Sequence, residues 1–113
     1  MKKFRLLSMI LGFVFISPSL YAHPPSEMKL NYDAKQKLLH IEIKHLSYNP
    51  REHHIRRLMI VKNDEQPLIS YFSSQKPDGL SQDVTIDAKK GDIIYVKAYC
   101  SDSGTKEETL AIE

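Results

Sequence analysis

Leu39, Ile41, Ile43 and His45 occupy every second position of the segment 37–46, and a two-residue period marks an extended strand with one buried face. Ile94, Val96, Ala98 and Cys100 alternate in the same way through 92–100. Shorter runs near 28–33, 54–62, 67–73, 82–87 and 107–113 bring the total to about seven strands. Between them lie Asp33-Ala34-Lys35-Gln36, Asn63-Asp64-Glu65-Gln66, Pro77-Asp78-Gly79 and Lys89-Lys90-Gly91-Asp92. Each of these carries residues that hydrogen-bond their own backbone or tolerate positive φ. Helical stretches are hard to find, and strands do not alternate with helices, which argues against a parallel sheet. The expected architecture is all-β: an immunoglobulin-like antiparallel β-sandwich. With one cysteine and no tryptophan, the chain lacks the disulfide and core indole of antibody domains.

Residues 1–22 have a different character. Lys2, Lys3 and Arg5 precede an apolar run from Leu6 to Ile16, and Ser17-Pro18-Ser19-Leu20-Tyr21-Ala22 leads out of it. This is the three-part layout of a secretory signal peptide, with cleavage expected after Ala22. The run is shorter than the roughly 20 residues of a membrane span, so the expectation is a cleaved leader and a single domain at 23–113. Three of the 16 basic side chains leave with the leader, and the remainder nearly balance 14 acidic ones. Arg56-Arg57 and Lys89-Lys90 are the only adjacent basic pairs beyond the leader. That is no electrostatic footprint for nucleic acid or anionic lipid. An exported, periplasmic protein that leaves the membrane after cleavage is expected.

In an oxidising compartment cysteines normally come in pairs, and Cys100 stands alone. A buried inert thiol, an intermolecular disulfide, and a metal ligand or reactive thiolate are all open to it. Strand phase sorts the histidines: His45 continues the inward face of its strand, whereas His40 points outward. If successive strands reverse direction, His23, His45, the pair His53-His54 and Cys100 gather at one pole of the sandwich. His53 and His54 project to opposite sides of an extended chain, so one of the two faces the cluster. Imidazole and thiolate together suit zinc, copper or iron, whereas calcium and magnesium prefer oxygen. A transition-metal site follows as the leading hypothesis. Competing chemistries have less support: no G-x-S-x-G elbow and no Gly-rich phosphate loop occurs. A Cys100–His45 hydrolase has no identifiable orienting residue or oxyanion hole.

Lys44-His45, Pro50-Arg51-Glu52-His53-His54-Ile55 and Tyr99-Cys100-Ser101-Asp102-Ser103-Gly104 resemble the iron-binding domain of the superoxide reductase (desulfoferrodoxin, neelaredoxin) family. The likeness runs over most of 28–113. That family pairs an immunoglobulin-like sandwich with a non-haem iron held by four equatorial histidines and an axial cysteine. Its pattern, roughly K-H-P, then P-E-H-Y-I, then C-N-x-H-G, implies His45, His53 and Cys100 as ligands and puts His54 on a tyrosine position. The departures are specific. Leu46 replaces a proline, the loop to His53 is longer by about two residues, Ser101 replaces an asparagine, and Ser103 stands where the last histidine ligand would be. The family's upstream loop, with another histidine and a lysine near the open site, has no counterpart.

His23 is the candidate replacement ligand. Cleavage after Ala22 would put an α-amine and an imidazole on one residue, a chelating pair that favours copper. The resemblance implies iron as the favoured metal, with copper or zinc as alternatives. It further implies superoxide or another small ligand at the metal and an external electron donor for any turnover. A rubredoxin-type second iron centre is excluded by the lack of thiols. The rivals are a periplasmic copper or zinc carrier and a metal-free immunoglobulin-like interaction domain.

Overall fold

The computed structural model describes residues 25–113; the leader expected at 1–22 and the candidate ligand His23 lie outside the described residues. Seven strands follow in order: β1 (Glu27–Asp33), β2 (Leu38–Lys44), β3 (Ile55–Lys62), β4 (Leu68–Tyr71), β5 (Gly79–Thr85), β6 (Ile93–Cys100) and β7 (Thr105–Ala111). They form two antiparallel sheets, ordered β1-β2-β5 and β4-β3-β6-β7. Hairpins join β1 to β2, β3 to β4 and β6 to β7, while the β2–β3, β4–β5 and β5–β6 connections cross between the sheets. The expected antiparallel β-sandwich is thus the observed fold.

The alternation read from sequence is the packing. Leu39, Ile41 and Ile43 from one sheet meet Leu58, Ile60, Ile94, Val96 and Ala98 from the other, all of them buried. Each Leu, Ile or Val side chain among them contributes about 1.5–3 kcal/mol when fully withdrawn from water. His40, on the opposite face of β2, is half-buried and bonds Asp83 through Nδ1 at 2.6 Å.

Two local departures from this regular pattern lie beside His45 and His53. β5 begins at Gly79 rather than near 82, because its register is set by β2, with Gly79 opposite Lys44 and Thr85 opposite Leu38. In β3 the register against β6 shifts between Ile55 and Arg57. Ile55 and Leu58 are three apart yet both buried, and the extra residue of this bulge is what lets them share a face. It lies immediately after His53 and His54.

The pole that carries Asp92, before β6, is held by side-chain caps. The Asp92 carboxylate accepts the Lys89 N–H at 2.9 Å and the Asn63 side-chain amide at 3.2 Å. These two bonds, the backbone one first, hold its pKa below the usual carboxylate range. A lowered folded pKa contributes stability that is present above the unfolded value of about 3.9 and lost as pH falls through the folded one. Urea midpoints compared between about pH 6 and about pH 3 should therefore find the advantage of the native chain over Asp92→Asn shrinking on acidification. A gap independent of pH would refute this role for Asp92.

Candidate metal centre

β2 and β6 both finish at the pole opposite Asp92, and β3 starts there. His45 follows the last residue of β2, continues its inward face and is 1% exposed. Cys100 closes β6, faces inward and is 4% exposed. Between β2 and β3 the chain makes a single turn, in which the N–H groups of Glu52 and His53 both reach the Asn49 carbonyl, at 3.0 and 2.8 Å. The Ser47 hydroxyl donates to the His53 carbonyl at 2.5 Å. This turn carries the His53 ring back over the end of the sandwich.

One donor atom from each of His45, His53 and Cys100 lies within 4.8 Å of the other two. The two rings have centroids 4.6 Å apart and are tilted by 33°. The Cys100 sulfur is 3.8 Å from both ring nitrogens of His53. A tetrahedral ion, with metal–nitrogen bonds of about 2.0–2.1 Å and a metal–sulfur bond of about 2.3 Å, places its donors about 3.3–3.6 Å apart. Separations of no more than 4.8 Å come into that range by a shift of about 1 Å, within reach of side-chain rotation. Two nitrogens and one sulfur form a set suited to zinc, copper or iron. The residues present therefore fit a single transition-metal ion.

Each imidazole already has a partner behind it. His53 Nδ1 lies 2.5 Å from the Asp102 carboxylate in the β6–β7 loop, and His45 Nδ1 lies 2.7 Å from the Gln75 side-chain oxygen. This is the outer-shell arrangement of metal-bound histidines, in which the ring donates one N–H outward and turns the other nitrogen to the ion. Asp102 is half exposed and carries charge; Gln75 is neutral and more enclosed. The two rings are consequently backed in different ways.

His54 takes the opposite direction. Its Nε2 donates to the Phe72 carbonyl at 3.2 Å, and its backbone N–H donates to the Ser101 hydroxyl at 3.0 Å. Ser101 in turn donates to the Glu52 carbonyl at 3.0 Å, tying the β6–β7 loop to the turn before β3. Ser103 is exposed and outside the cluster. Of the four candidate ligands, the structure brings together His45, His53 and Cys100.

Gln75 and Asp102 carry no periodic signal and were not expected from the sequence. Asp102 sits two residues beyond Cys100, in a loop at the same pole, and that position is the one cue the sequence offers for it. Gln75 lies between β4 and β5 and had no such cue. No protein-family model, curated protein or solved structure matches this chain.

Proposed function

We propose that this chain is an exported superoxide-reductase-like protein that holds one transition-metal ion, iron favoured, at His45, His53 and Cys100. The observation that carries this reading is the convergence of two imidazoles and one thiol from three separate segments, with each ring already hydrogen-bonded at Nδ1. Iron is favoured by the resemblance of segments 44–45, 50–55 and 99–104 to the family motifs. His23, freed by cleavage after Ala22, is the candidate fourth ligand.

Bound iron would supply the one-electron chemistry that converts superoxide, with two protons, to hydrogen peroxide. The chain's own part is to hold and orient. Cys100 offers a thiolate donor from the end of β6, His45 anchors the site from the interior, and His53 is the less buried of the two imidazoles. An external donor must return each electron.

A second reading, a copper or zinc carrier, is favoured by the donor count. Ser103 replaces a ligand of the family pattern, and a three-donor set containing thiolate suits copper(I) or zinc. Metal analysis of the exported protein, purified without chelators, separates the two. One iron per chain, oxidised by superoxide in its ferrous form, supports the first reading. One copper or zinc without such oxidation supports the carrier. Failure to take up iron, copper or zinc under anaerobic conditions would overturn both and leave a metal-free interaction domain.

A further inference from the structure

Gln75 is not in the donor set, yet its side-chain amide makes four hydrogen bonds around His45. Its Oε1 accepts the Ile55 N–H at 2.9 Å and lies 2.7 Å from His45 Nδ1. Its Nε2 donates to the carbonyls of His45 and Lys76 at 2.6 and 2.9 Å. Three of the four partners are backbone groups of fixed polarity: an N–H can only donate, and a carbonyl can only accept. Turning the amide over would set N–H against N–H and oxygen against oxygen at all three. The amide oxygen therefore faces His45 Nδ1, and a bond between them requires the hydrogen to be on Nδ1. A neutral imidazole has one N–H, so Nε2 keeps its lone pair.

We infer that Gln75 is a positioning residue that holds His45 in the Nδ1–H tautomer before any ion arrives, making Nε2 the ligating atom. In water the Nε2–H tautomer of a histidine side chain is the more common one, and it would present a hydrogen where the metal must bind. At 1% exposure His45 has little access to the water that would otherwise interconvert the two forms. The Gln75 amide also spans the end of β2, the start of β3 and its own loop, so the ring orientation is fixed together with the backbone on either side. The consequence for metal binding rests on the proposed function; the tautomer does not.

Long-range proton–nitrogen correlation spectra of the metal-free, 15N-labelled protein read the tautomer of each ring directly. His45 should give a protonated, pyrrole-type Nδ1 and an unprotonated, pyridine-type Nε2. In Gln75→Met the acceptor is gone, and the signals should move toward the mixed or Nε2–H pattern. Cobalt(II) affinity, followed through its thiolate charge-transfer band, should fall about 10–100-fold, as for other outer-shell partners of metal-bound histidine. Gln75→Glu keeps an acceptor for Nδ1–H but sets an oxygen against the His45 and Lys76 carbonyls, so it should keep the Nδ1–H ring while recovering only part of the affinity. An Nε2–H ring in the native protein would overturn the inference, and so would a Gln75→Met variant with unchanged tautomer and affinity. If Gln75→Met fails to fold, the native spectrum still decides. A native protein with the Nδ1–H ring that takes up no cobalt would count against the proposed function alone.

Discussion

Gly79→Ala is expected to cost about 3–5 kcal/mol, a large share of the roughly 5–15 kcal/mol that holds a domain of this kind together. Gly79 opens β5 directly opposite the end of β2, with φ at +151°, a region that side-chain-bearing residues rarely adopt. A Cβ there would lie 1.9 Å from the Ile43 carbonyl oxygen, 3.0 Å from its carbon and 3.2 Å from the His45 nitrogen. All three are backbone atoms of a paired strand and its continuation, so relief requires β2 and β5 to separate. Gly91→Ala is the informative comparison. Its φ of +94° is also strained, but no heavy atom lies within 4 Å of the added carbon, and about 1–2 kcal/mol should suffice. Urea denaturation of the two variants tests this; equal losses would mean that the contact with β2 is not what makes Gly79 necessary. Because His45 follows Ile43 by two residues, metal affinity should fall with stability in Gly79→Ala and stay near native in Gly91→Ala.

His45→Ala/Cys100→Ala should abolish specific metal binding while leaving the sandwich folded. Structural zinc sites with four ligands are worth about 10–16 kcal/mol, or about 2.5–4 kcal/mol per ligand. Each lost donor then lowers affinity by about 10²–10³-fold, and two lost donors by at least about 10⁴-fold. Stability should drop by only a few kcal/mol, since Cys100 lies at the end of β6 and the Gln75 oxygen keeps its bond from Ile55. Elemental analysis and far-UV circular dichroism on the same sample read both outcomes. His40→Ala, on the exposed face of β2, should bind metal as the native chain does. Native stoichiometry in the double variant would place the ion elsewhere.

The sequence made the fold legible because burial in a sandwich follows strand phase. Leu39, Ile41, Ile43 and His45 could be assigned to one face before any contact was known, and so could Ile94 through Cys100. β5 came out three residues early because its start depends on pairing with β2 and on the space at Gly79, and neither leaves a periodic trace. The β3 bulge was likewise hidden, since Ile55 and Leu58 conflict with a strict two-residue period. For the candidate site, phase and topology singled out His45 and Cys100. The choice of His53 over His54 came only from family resemblance; the structure turns His53 to Cys100 and His54 to the Phe72 carbonyl. Gln75 and Asp102 depend on the path of irregular loops, which no local pattern specifies.

His45 directly follows a strand of the three-stranded sheet, whereas Cys100 ends a strand of the four-stranded one and His53 precedes another of its strands by two residues. An ion shared among them would join the two layers by bonds at the end where their cores meet. A chain with one cysteine cannot make the inter-sheet disulfide of antibody domains; the ion would serve as a removable cross-link in its place. Such a cross-link loads with concentration: free metal at a hundred times its dissociation constant adds about 2.7 kcal/mol to the folded state. The cohesion of the sandwich would then report how much metal surrounds it.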